Sequence, residues 1–142
     1  PKKLSRRDFL KLTGALSAGG LLAACMSFPA PAPAPSRCGG PIRYGDTKSG
    51  NLPKGAVCLY QFSGTNGHVV TIIMVRRGAV LDPYVELLNP QGTRVAYNDD
   101  SGRTGNSAII NYRLQTTGSF TIRARSHNNA SGGPYDLTLT KQ

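Results

Sequence analysis

From residue 37 onward the chain reads as short apolar runs separated by turn residues. Runs rich in β-branched and aromatic residues at 57–62, 69–76, 84–88, 93–98, 108–114, 119–126 and 134–140 predict strands. A weaker strand is predicted within 42–50. The breaks fall where turn chemistry is dense: Ser63-Gly64-Thr65-Asn66-Gly67, Asn89-Pro90-Gln91-Gly92, Thr116-Thr117-Gly118, and the stretches 102–105 and 127–133. No segment in this part shows helical periodicity. Strands at this spacing predict an all-β domain, a single antiparallel β-sandwich of the jelly-roll kind with seven to nine strands.

Alternation assigns faces. Phe120, Ile122 and Ala124 alternate with Thr121, Arg123 and Arg125, and Tyr135, Leu137 and Leu139 alternate with Asp136, Thr138 and Thr140. Pairing these two runs as neighbours predicts Arg123 opposite Asp136 on an outer face. The run at 69–75 differs. Val70, Ile72 and Met74 take one face, and the opposite face, Val69, Thr71, Ile73 and Val75, is also mostly apolar. A one-sided antiparallel strand should carry polar residues there. That face is therefore expected to be covered, either by the 42–50 segment or by a binding partner.

The first 36 residues read differently. Lys2, Lys3, Arg6, Arg7 and Lys11 precede an apolar run over 12–24 rich in Leu, Ala and Gly, the layout of a secretory signal. Ser5-Arg6-Arg7-Asp8-Phe9-Leu10-Lys11 resembles the twin-arginine export signature. Leu22-Ala23-Ala24-Cys25 resembles a lipobox, which implies cleavage after Ala24 and lipidation of Cys25. Phe28-Pro29-Ala30-Pro31-Ala32-Pro33-Ala34-Pro35 predicts an extended polyproline-II spacer. The predicted organisation is thus a signal peptide over 1–24, a lipidated Cys and linker over 25–36, and a sandwich domain over 37–142. The expected location is a bacterial membrane, inner or outer, facing the periplasm or the exterior.

Composition then adjusts the functional reading. The chain of 142 residues carries 17 Lys and Arg against seven Asp and Glu, a formal charge of +10. Residues 1–24 hold five of the cations and one of the anions, so the part after the signal has 12 and six, a net of +6. No basic run exceeds the pair Arg76-Arg77, and nucleic acid is not expected as a partner. Of three cysteines, lipidation of Cys25 leaves Cys38 and Cys58, an even pair for an oxidising compartment. They are expected to form a disulfide.

No motif for nucleophilic catalysis, zinc hydrolysis or phosphate binding occurs. An enzyme is not expected. The densest polar cluster is Asn98-Asp99-Asp100-Ser101, with Asp82 one strand earlier. Asp82, Asn98, Asp99 and Asp100 form an oxygen-rich candidate set for Ca²⁺. Arg103 is the alternative counter-charge.

The ordered motifs carry a resemblance. Gly45-Asp46-Thr47, Tyr60-x-Phe62-x-Gly64, Leu81-Asp82-Pro83-Tyr84-x-Glu86-Leu87, Val95-Ala96-x-Asn98-Asp99-Asp100, Thr117-Gly118-x-Phe120-Thr121-Ile122 and Gly133-x-Tyr135-x-Leu137 follow one another from about residue 42 to 140. This series resembles the bacterial pre-peptidase C-terminal domain. The resemblance implies a β-sandwich of the kind appended to secreted peptidases. Related domains bind collagen and can bind Ca²⁺. The chain shows no peptidase, so peptidase activity is not carried over. The expectation is a lipid-anchored binding module for a protein or polysaccharide at the cell envelope. The alternative is a structural or accessory envelope lipoprotein whose contacts are its complex partners.

Overall fold

The computed structural model describes residues 38–99 and 107–142. Nine strands form in chain order: β1 (Gly40–Pro41), β2 (Thr47–Leu52), β3 (Val57–Gly64), β4 (Val69–Arg76), β5 (Pro83–Leu88), β6 (Arg94–Asn98), β7 (Ser107–Arg113), β8 (Gly118–Ser126) and β9 (Gly133–Lys141). They build a five-stranded sheet, β1-β3-β8-β5-β6, and a four-stranded sheet, β2-β9-β4-β7. All pairings are antiparallel except the short parallel contact of β1 with β3. The predicted all-β sandwich is the observed fold.

The core forms where period-2 alternation turns one set of apolar residues inward from each sheet. Cys58, Tyr60 and Phe62 from β3, Val85 and Leu87 from β5, and Phe120, Ile122 and Ala124 from β8 supply one layer. Val70, Ile72 and Met74 from β4, Ala108 and Ile110 from β7, and Tyr135, Leu137 and Leu139 from β9 supply the other. The two layers also meet through a polar contact. Tyr60 and Tyr135 share a buried hydroxyl–hydroxyl hydrogen bond of 2.8 Å, so neither phenol is left unpaired in the interior. Burial, then the hydrogen bond from Tyr60, pushes the Tyr135 phenol far above its ordinary value. The Tyr135 ring lies against Gly50 of β2, where an added Cβ would come within 2.8 Å of it.

Local chemistry sets the turns. Between β5 and β6, Pro90 follows Asn89, whose side-chain Oδ1 accepts hydrogen bonds from the Gln91 and Thr93 amides. Gly92 completes the turn at φ 79°, a conformation that costs an L side chain strain. Cys38 and Cys58 are joined by a disulfide, with Cα atoms 5.4 Å apart. The bond ties the chain entering β1 to β3.

Two sequence expectations need correction. β8 and β9 are not neighbours: β8 lies between β3 and β5, and β9 lies between β2 and β4. Arg123 therefore faces Glu86, while Asp136 meets Ser49 and Arg77. Alternation placed each side chain inward or outward, but it carries no information on which strands pair. The segment 42–50 also does not cover the outer face of β4. Ile42 enters the core, and residues from Thr47 form an edge strand beside β9.

Candidate binding face on the five-stranded sheet

Three registered rows cross the outer face of the five-stranded sheet. Val57, Arg125 and Tyr84 form the first, on β3, β8 and β5. Leu59, Arg123, Glu86 and Tyr97 form the second, which continues onto β6. Gln61, Thr121, Leu88 and Arg94 form the third. Arg94 reaches this face because of a β-bulge. The β5–β6 register shifts between Leu87 and Leu88, so Ala96 opposes Leu87 and Arg94 opposes Leu88. An unbulged strand would turn Arg94 inward; the extra residue re-aims it.

Glu86 is the centre of the face. It is 2% exposed, a rare burial for a carboxylate. Arg94 Nη1 donates to Oε1 at 2.9 Å. Oε2 sits 3.2 Å from Arg123 Nη1 and 3.5 Å from Arg125 Nε, ion-pair distances that lack the alignment of a hydrogen bond. Burial pushes the Glu86 carboxyl up, but the contacts from Arg94, Arg125 and Arg123 outweigh it and hold the group below the ordinary glutamate value. The same contact raises the Arg94 guanidinium above its already high value.

Aromatic rings frame the charges. Arg125 lies 4.0 Å over the Tyr84 ring and Arg94 lies 4.7 Å over the Tyr97 ring. The two tyrosines are stacked, with centroids 6.0 Å apart and planes at 19°. At one end, His127 meets the edge of Tyr84, and its Nδ1 is 2.9 Å from Asp99 Oδ2. Tyr97 and Leu59 remain open, 59% and 51% exposed. Guanidinium groups thus lie over aromatic rings beside open apolar surface. Arg and Tyr predominate among residues that dominate protein interfaces.

Sequence reasoning did not single out this face. Its signals were present as i, i+2 pairs, Tyr84 with Glu86 and Arg123 with Arg125, but only the strand order brings them together. The face that was singled out lies on the other sheet. Val69, Thr71, Ile73 and Val75 all point outward from β4. Ile73 stands between Ile109 and Thr138, and Thr71 between Asn111 and Thr140. Thr71 Oγ1 donates to Asn111 Oδ1 at 2.6 Å, and Thr47 and Thr138 share a hydroxyl contact of 2.8 Å. Val75 is exposed, and the other three are half-buried.

The residues proposed for Ca²⁺ meet only in part. The backbone carbonyl of Asp82 accepts the His127 amide, and its amide donates to Ser131 Oγ, while Asp99 pairs with His127; both thus reach the turn after β8. Asn98 turns its Oδ1 toward the Ile109 amide on β7. Asp100 and Arg103 lie outside the described residues, as do Cys25 and the linker. Among the described residues no three His, Cys, Asp or Glu side chains group to hold a metal. A cation at this loop would have to take Asp99 from His127.

Residues 3–23 match the TAT (twin-arginine translocation) pathway signal sequence, which indicates export across the cytoplasmic membrane. No curated protein matches the chain by sequence. The structure is similar to the pre-peptidase C-terminal domain of collagenase from Bacillus anthracis, with a TM-score of 0.60 and 18% identity over 72% of this chain and 94% of that one. It is also similar to PliG, a periplasmic inhibitor of g-type lysozyme. The Aeromonas hydrophila protein gives a TM-score of 0.57 at 13% identity, covering 74% of this chain and 96% of that one. The Salmonella Typhimurium protein gives 0.54 at 14%, covering 74% and 99%. At these identities the likeness is one of fold: the domain shares the β-sandwich of the pre-peptidase C-terminal domain.

Proposed function

We propose that this chain is an exported, non-catalytic binding module for a protein partner at the bacterial envelope, tethered by a lipid on Cys25. The observation that carries the reading is the outer face of the five-stranded sheet, where Tyr84, Tyr97, Arg94, Arg123 and Arg125 are held in fixed geometry around one buried carboxylate. A face so arranged has already lost the side-chain freedom that binding would otherwise cost it. The outer face of β4, which segment 42–50 does not cover, supports the same reading. So does the fold shared with an inhibitor of a protein enzyme and with a domain of a collagenase. Ca²⁺ at the loop after β6 is a separate part of the proposal; melting with Ca²⁺ and with chelator tests it.

The test is site-specific photo-crosslinking in cells producing the full chain. A crosslinking side chain at position 97 should give a discrete adduct with another protein, and one at the exposed position 54 should not. If neither position 97 nor position 75 yields an adduct, the binding-module reading fails.

A further inference from the structure

Among the described residues the charge on this face is unbalanced toward the cations, and the inference drawn from it rests on the binding-module reading above. Two ion pairs on or beside the four-stranded sheet are matched one to one, Lys48 with Asp46 and Arg77 with Asp136. On the five-stranded sheet three guanidinium groups share the single carboxylate of Glu86. Each guanidinium has five N–H donors, and a carboxylate has two oxygens. Glu86 accepts one aligned hydrogen bond, from Arg94, and holds Arg123 and Arg125 by charge. Arg94 and Arg123 keep 50% and 38% of their side chains exposed, so spare donors face outward beside Tyr97 and Leu59. Among the described residues, the other titratable groups at this face are the phenols of Tyr84 and Tyr97, and Asp99 and His127, which pair with each other beyond Tyr84.

We infer that Arg94 and Arg123, arrayed on Glu86 and flanked by Tyr97 and Leu59, form a recognition site for a carboxylate-rich protein segment that also carries apolar side chains. Guanidinium forks bind carboxylates in fixed geometry, with strength and direction that a lysine would lack. The apolar flank decides between sources of carboxylate. An acidic polysaccharide would engage the arginines and leave Leu59 and Tyr97 in water. A protein segment alternating Asp or Glu with Leu or Phe covers both. Glu86 acts as a positioning residue: buried beneath the arginines, it orients them and leaves their outer donors to the partner.

The experiment uses the full chain, purified after export, and two synthetic peptides. One alternates Glu with Leu; the other replaces every Glu by Gln. Polygalacturonate is the polysaccharide probe. Binding is followed by fluorescence anisotropy of labelled peptide, and the contact is located by the amide resonances of Leu59, Tyr97 and Arg123. The Glu–Leu peptide should bind and shift those resonances. Its affinity should fall at least about tenfold in Arg123→Gln and in Arg94→Gln, and fall further with added salt. The Gln–Leu peptide should not bind, and polygalacturonate should compete weakly. Tyr97→Ser, at an open position, serves as a second variant: it should weaken the peptide while urea unfolding shows the domain still folded, at a small cost from the lost ring contacts with Tyr84 and Arg94. Equal binding of both peptides, no loss in the arginine variants, or polygalacturonate binding as tightly as the peptide overturns the inference. If the peptides fail while position 97 still crosslinks a protein in cells, the acidic partner is wrong and the binding-module reading stands.

Discussion

Glu86 shows how one residue can hold a surface in place. Its carboxylate is nearly solvent-free, and its three partners lie closer to water. Removing it strands positive charge, but the arginines can turn outward. We therefore expect Glu86→Gln to cost about 1–3 kcal/mol, below the penalty for breaking a fully buried pair. The pH dependence has a definite sign. The folded carboxyl titrates below its ordinary value. Its contribution is therefore complete above the unfolded glutamate value of about 4.3 and is lost as pH falls through the lower folded value. Urea unfolding at neutral pH and through the acid range should show the wild type losing its advantage over Glu86→Gln below about pH 4. A constant difference down to acid pH would contradict the assignment. None of this was visible from residue type alone. Glu86 reads in sequence as a polar position in an apolar strand, and its burial follows only from having Arg123 on one neighbouring strand and Tyr97 on the other.

At the scale of elements, period-2 patterning located the strands well. The run predicted at 69–76 is β4, and the runs at 84–88 and 134–140 fall within β5 and β9. Alternation also placed Phe120, Ile122, Leu137 and Leu139 in the core. What it could not supply was partnership. β8 and β9 are consecutive, separated by a short 3-10 turn at His127–Asn129, yet they enter opposite sheets. Either pairing satisfies the same inward set, so Arg123 could be matched with Asp136 or Glu86 on equal grounds. The bulge that exposes Arg94 is likewise a property of the β5–β6 pair. One long-range link was legible, because cysteine count and compartment leave Cys38 only Cys58. At a sequence separation of 20, the chain-entropy estimate is a stabilisation of about 3 kcal/mol. Denaturant unfolding with and without reductant should show a loss of that order, and Cys58→Ala should reproduce the reduced value. Coincident unfolding curves would mean that the bridge contributes nothing.

For the whole molecule, export, anchoring and the proposed binding face are separate roles carried by separate parts of the chain. The match over 3–23 is to a pathway read through paired arginines, and a proline-rich stretch separates the candidate lipidation site from the sandwich. Acyl chains on Cys25 would hold the domain at the membrane, since two or more chains anchor where one binds only reversibly. These roles separate genetically. Arg6→Lys with Arg7→Lys keeps the basic charge and removes the paired guanidinium groups, so it should trap the chain in the cytoplasm. Cys25→Ser should still be exported but either retain its signal or appear in the soluble fraction. Fractionation with labelled palmitate measures both. Export of the double-lysine chain at the normal level would refute dependence on the twin-arginine pair. A Cys25→Ser chain that remained membrane-bound, processed and labelled would refute the anchor while leaving the crosslink from position 97 as an independent measure of the binding face.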